Sequence, residues 1–451
     1  MKLECISRLT RLAPLVVAAC HLMMVTACSN PPAAKVLVYS PSEKICQLTG
    51  DKDLLRNIPT TPRTDQLFGL HGTDLGYPVD HKNGLILLFG DTAPSPPNGD
   101  ESFPPDDSVG WITTRTPPTE RECTDLWINH DTDAAGRAKP IAPTVFFPRI
   151  KQGGFNVPSG GVSEGGSLYA FFWTDHCNPP QHEDQRCLDP SLTDVGRGVL
   201  ARSKDDGSSF DFITRMPNGF VYSTAVDATS IADLPATQKL GTYIFSVPEY
   251  RSSVPFLAYA PPGKLEDPSS WMFFVGIKRD ENPTWVSRHS WETGKFLHAE
   301  LFAGEDRDRC VGEFSITWNR SLKVWLLVYN CKLGKDGQSI VARTANAPWG
   351  PWSEATTILD PDDPSCQMLM QVNNHSCPAD SDDLNMNGDL YAPFVLERYT
   401  TPERTFYPGR RRATIYWLVS TWRPYQVVVM RTTLQVDTPL TVYVERSRKI
   451  H

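Results

Sequence analysis

The feature that most restricts this chain is a series of short apolar runs, recurring along its length with turn residues between them. Runs at 85–89, 168–173, 199–203, 243–247, 271–276, 314–318, 324–329, 340–344, 392–396, 415–420 and 426–431 are rich in Val, Ile, Tyr, Phe and Trp, and Gly, Pro, Asn or Asp border them. Branched and aromatic side chains suit a pleated, half-buried surface, and these runs have the length of strands. No stretch keeps a helical period for three turns, and 39 Pro against 30 Gly in 451 residues oppose long helices. An all-β chain is therefore expected. At this size it builds either several sandwiches or one β-propeller.

Two local patterns favour the propeller. Ser203-Lys204-Asp205-Asp206-Gly207-Ser208-Ser209-Phe210 has the form of an Asp box, S-x-D-x-G-x-S/T-W/F. Its Asp is placed to cap backbone amides in a turn whose Gly takes positive φ, which makes Asp205 structural. Ala342-Arg343-Thr344 followed by Trp349-Gly350-Pro351-Trp352-Ser353 resembles the blade ending of glycosidase propellers.

The amino terminus reads as an export signal. Lys2, Arg8 and Arg11 precede an apolar run to Val25 that is short for a membrane span, and Val25-Thr26-Ala27-Cys28 resembles a bacterial lipobox. The expectation is a signal over 1–27, Cys28 as the lipidated first residue, a tether over 28–43, one propeller domain over 44–435 and a tail over 436–451. Ser29 after the cysteine resembles an outer-membrane sorting signal. The protein is thus expected at the outer membrane or cell surface, held by its lipid.

That reading also organises the 11 cysteines. Cys5 and Cys20 leave with the signal and Cys28 carries lipid, so eight remain, an even number that suggests disulfides in an exported chain. With Arg320-Ser321 as a two-residue turn, Cys310 faces Cys331 across a hairpin. Cys177 with Cys187 and Cys366 with Cys377 are candidate loop closures, which leaves Cys46 for Cys123 by elimination.

The strongest chemical constellation is Gly72-Thr73-Asp74-Leu75-Gly76 followed by the run at 85–89, which ends in Gly90-Asp91-Thr92. Two carboxylates beside glycines allow close backbone approach to a ligand, although Asp beside Gly also caps ordinary turns. These motifs, with S-E-G-G-S-L-Y-A-F-F from Ser163, V-G-E-F-S-I-T-W-N from Val311, Y-A-P-F-V-L-E-R-Y-T from Tyr391 and I-Y-W-L-V-S-T-W-R-P-Y-Q from Ile415, look like the DUF4185 family. The resemblance runs in order from about Ile45 to Leu434. It implies a five-bladed propeller and endo-acting D-arabinan hydrolysis, with carboxylates from separate blades meeting at the mouth of the channel.

Glycoside hydrolysis needs one carboxyl that is protonated and one that is ionised. On that pattern Asp74 is the expected base or nucleophile, Asp91 its partner or a direct participant, and Glu313, in an otherwise apolar strand, the acid. A plain ion pair of Glu313 with Arg309 or Arg320 is the competing reading. Tyr222, Tyr391, Trp422 and Tyr425 are candidates for stacking on sugar rings, and Asn330, on the face of Glu313, for a sugar hydroxyl. Glu164 and Asp227 read as turn residues.

Other chemistries lack support. A net charge of -8 and a basic run of only three residues at 410–412 speak against nucleic acid. No H-E-x-x-H, P-loop or dinucleotide fingerprint is present. The stretch from Asp383 matches the first half of a calcium loop, but Phe394 stands where Glu is required, so no cofactor is expected beyond a calcium ion near Asp383. The protein is read as a monomer acting on a glycan, with a non-catalytic glycan-binding lipoprotein on the same fold as the alternative.

Overall fold

The apolar runs become strands, and these gather into five sheets of four or five strands that stand as blades around one axis, with two two-stranded sheets beside them among the described residues. The computed structural model describes residues 35–437, apart from 95–105, 133, 135, 137, 141–143, 147–155, 175–196, 250, 279–281, 296, 303–308, 332–338, 361–389 and 422–424. Blades one to five have Leu70–His81, Asn156–Glu164, Tyr222–Asp227, Phe314–Asn319 and Leu390–Val395 as inner strands. Each inner strand touches the next, and the fifth touches the first, which closes the ring. The expected five-bladed, all-β propeller is the fold observed.

Blade five joins the two ends of the described chain. Lys35–Gln47 pairs antiparallel with Gln426–Asp437, which pairs with Arg410–Thr421, and this strand pairs with Leu390–Val395. Closure of this kind ties off the ring where sheet edges would otherwise lie open. Residues 35–43, expected in the tether, are therefore strand.

Blades pack face to face through their apolar surfaces. Leu88 and Val109 share a core with Phe172 and Phe210, Tyr243 meets Trp325 edge to face at 5.7 Å, and Val328 shares a core with Trp417. The polar turn of the Asp box is as expected: Asp205 accepts from Ser209 N at 2.9 Å and Gly207 has φ of 98°. At the same end of the ring, His81 bridges Ser163 at 2.8 Å and Asp206 at 3.0 Å, tying blades one and two.

Cys46 pairs with Cys123 and Cys310 with Cys331. The hairpin register differs from the expected one by two residues, because Phe314 faces Tyr329 and Asn319 faces Val324. The turn is four residues long. Asn319 Oδ1 accepts from Leu322 N at 2.9 Å, and Lys323 takes φ of 55°, so the turn closes later than a two-residue one. An even shift keeps every side chain on its face. Cys28, Cys177, Cys187, Cys366, Cys377 and Asp383 lie outside the described residues.

Candidate active site

One mouth of the channel collects the carboxylates. The inner strands begin there: Tyr391 and Tyr222 lie at strand starts, Glu313 precedes Phe314, and Asp74 lies early in its strand. Asp91 belongs to the adjoining strand Gly84–Pro94, and Tyr425 to the turn before Gln426–Asp437.

Asp74 is the centre of this arrangement. Its Oδ2 accepts from the Tyr391 hydroxyl at 2.9 Å and from the Tyr425 hydroxyl at 2.8 Å. The Tyr425 hydroxyl, with one proton to give, also stands 3.1 Å from Asp91 Oδ2. Asp74 Oδ1 is buried and has no hydrogen-bond partner among the described residues. Burial pushes the Asp74 carboxyl up to about 8, and the charges of Asp91 and Glu313 add to the rise while the tyrosine hydroxyls oppose it. Burial also raises the Tyr391 and Tyr425 hydroxyls, with Asp74 the next cause for each.

The glycines of the motifs have specific work. A Cβ on Gly72 would meet the Tyr425 carbonyl oxygen at 3.0 Å, and one on Gly90 would meet Asp74 Oδ1 at 2.8 Å and Leu75 Cδ1 at 2.7 Å. Glycine lets both neighbours close in. Gly90→Ala is expected to push the Asp74 carboxyl off its tyrosines, costing about 1–3 kcal/mol of stability and most of any activity, as urea melts and a turnover assay would read.

Glu313 is buried, and its Oε1 meets Arg251 Nη2 at 2.8 Å. The partner is neither of those expected; Arg309 pairs with Glu300 instead. Arg251 comes from the loop after Thr242–Val247, where its backbone N–H donates to Val311 O at 3.1 Å, and its guanidinium lies 5.7 Å from the Tyr391 ring centre. The Tyr222 hydroxyl lies within electrostatic reach of both Glu313 and Asp74. Burial first, then the charges of Glu313 and Asp74, hold it well above the ordinary phenol range.

Backbone strain gathers at the same place. Leu75, Asp91, Arg251 and Ala392 have φ of 59°, 21°, 59° and 54°, each at or beside a residue of the cluster. Such conformations cost about 1–3 kcal/mol apiece and persist where surrounding contacts enforce them, often at sites of function. Here Ser420 Oγ takes the Leu75 N–H at 2.9 Å.

The sequence-based candidates thus converge in part. Asp74, Asp91, Tyr391 and Tyr425 form one hydrogen-bonded group, with Glu313 and Tyr222 coupled to it by charge. Asn330 is buried, and its backbone N–H donates to Glu313 O at 3.2 Å. The rings of Tyr222 and Tyr391 are buried too and present no open face for a sugar, and Tyr391 gives its hydroxyl to Asp74. Trp422 lies outside the described residues. Glu164 accepts from Gly263 N, and Asp227 from Thr229 N, both at the other mouth. Arg251 carried no sequence signal. No group of His, Cys, Asp or Glu suited to a metal occurs among the described residues.

The family described as a domain of unknown function, DUF4185, matches residues 60–431, which take in the site from Asp74 to Tyr425. This chain belongs to the DUF4185 family. No curated protein matches the chain. Among solved structures, the DUF4185 chain is similar to a Bacteroides ovatus ATCC 8483 protein whose hydrolase assignment is itself provisional, at 12% identity and a TM-score of 0.47, covering 82% of this chain and 87% of that one. It is similar to an exo-β-1,3-galactanase from Phanerochaete chrysosporium at 10% identity and a TM-score of 0.38, covering 87% of this chain and 64% of that one. An α-L-arabinofuranosidase from Podospora anserina is similar at 10% identity and a TM-score of 0.35, covering 90% of this chain and 98% of that one.

Proposed function

We propose that this DUF4185 protein is an exported, lipid-anchored glycoside hydrolase that cleaves a furanose-containing glycan, with D-arabinan as the foremost substrate. One observation carries the hydrolase reading. Two buried carboxyls from different blades meet at one mouth in opposite electrostatic settings, Asp74 pushed up to about 8 and Glu313 ion-paired with Arg251. Glycosidic cleavage requires that division, since a proton must go to the leaving oxygen while a carboxylate activates water or attacks the sugar carbon.

On this reading the roles expected from sequence are exchanged. Asp74 carries the proton at neutral pH and serves as the acid, and Glu313 serves as base or nucleophile. Asp91 acts through its charge, which helps to keep the proton on Asp74. The preference for D-arabinan rests on the motif resemblance, and the anchor rests on the Val25-Thr26-Ala27-Cys28 lipobox.

Incubation of the protein with D-arabinan tests the reading. Oligosaccharides are expected from the wild type and none from Asp74→Asn or Glu313→Gln. Binding of the glycan without release would identify a non-catalytic receptor instead.

A further inference from the structure

The end of blade five away from the candidate site carries aromatic rings that folding leaves in water. Phe406 is 95% exposed and Tyr407 66%, in the turn between Thr401–Glu403 and Arg410–Thr421, and Tyr39 on the adjacent outer strand is 56% exposed. Arginines accompany them. The Arg410 guanidinium lies 4.9 Å from the Tyr407 ring centre, that of Arg412 3.2 Å from the Tyr39 ring centre, and Arg404 is exposed in the same turn. The acids nearby are fewer: Asp437 pairs with Arg410 at 3.1 Å, and Glu403 accepts from the Thr414 hydroxyl at 2.6 Å. Rings flanked by guanidinium groups, with cationic excess, match the headgroup layer of an anionic membrane, where apolar bodies bury and charged heads meet phosphate.

The register says why this end matters. Lys35 pairs with Asp437, which pairs with Arg410, so the chain enters the propeller beside the patch. Cys28 stands only seven residues upstream, a reach of at most about 25 Å. The strand Arg410–Thr421 runs from the patch to the turn holding Tyr425, a length of roughly 36 Å.

We infer that this end of blade five is a membrane-contact surface, in which Tyr39, Phe406, Tyr407 and the arginines around them rest on an anionic bilayer and turn the candidate site away from it. The inference rests on the lipid-anchor reading of Cys28 for its biological setting, but the surface itself is separable from the anchor. An anchor at a single residue leaves the body free to swivel, and the patch would fix its orientation.

Sedimentation with vesicles tests the surface on the mature chain carrying Cys28→Ser, which has no lipid. Binding to vesicles containing phosphatidylglycerol is expected, weak binding to pure phosphatidylcholine, and loss of the difference in high salt. Arg404→Glu and Arg410→Glu should each lower partition by about fivefold or more, and Phe406→Ser with Tyr407→Ser should abolish it, with melting temperatures unchanged. Equal binding to both vesicles, or variants that sediment like the parent, would overturn the inference. Palmitate labelling of Cys28 in the full chain reads the anchor separately: labelling without vesicle binding defeats the surface alone, and vesicle binding without labelling supports the surface while removing the anchor.

Discussion

Asp74→Asn is expected to lower glycan hydrolysis by about 10²–10⁴-fold, the range for a lost general acid, and at the same time to make the protein more stable at alkaline pH. The second effect follows from linkage. The Asp74 carboxyl titrates at about 8 in the folded protein, against an ordinary value of 3.8. Between those limits the folded state holds a proton that the unfolded chain has lost, so wild-type stability falls as pH rises through the window and levels off above about 8. Asn keeps an acceptor for the Tyr391 and Tyr425 hydroxyls and has no charge to bury. Melting temperatures recorded from pH 5 to 9 should therefore decline for the wild type more steeply than for the variant, with the variant higher at pH 9. Parallel curves would mean that Asp74 is ionised throughout. Stability given up for function is a common bargain at active sites.

Arg251→Ala is expected to destabilise the protein by about 3 kcal/mol and to abolish turnover. Removing one partner of an ion pair leaves the other charge buried and poorly compensated. The 2.8 Å contact to Glu313 is such a pair, and the arginine is one-third exposed while Glu313 is closed off, so the loss falls on the carboxylate. Glu313→Gln in the Arg251→Ala background removes the stranded charge and should restore much of the stability without restoring activity. Urea melts of the two single variants and the double variant form the cycle that measures this coupling. Additive losses would show that Arg251 acts elsewhere.

Much of the fold was legible because its signals are local. Strand content follows from residue type and turn punctuation, and Cys310 with Cys331 could be paired because a single hairpin joins them. The register failed by two because Asn319 and Lys323 together build a longer turn, which depends on one side-chain hydrogen bond and one left-handed residue. At the site, Asp74 and Asp91 stood out by their glycine flanks, and the glycines prove to be where neighbours close in. Tyr222 and Tyr391 stood out in the sequence as aromatic residues, but not as buried ones. Whether a ring face or a hydroxyl meets the site depends on how blades pack: the rings of Tyr222 and Tyr391 are buried, and Tyr391 meets Asp74 through its hydroxyl. Arg251 was hidden for a stronger reason. It reaches Glu313 from a different blade, 62 residues earlier in sequence, out of a loop with no motif.

The division of labour between Asp74 and Glu313 is the centre of this account, and azide separates the two roles. A small anion can replace a missing base or nucleophile at the sugar carbon, but it cannot supply a missing proton. With D-arabinan as substrate, Glu313→Ala should regain turnover on addition of azide and yield a glycosyl azide, whereas Asp74→Ala should stay inactive. Rescue of Asp74→Ala, with Glu313→Ala unresponsive, would contradict the assignment and return the acid role to Glu313.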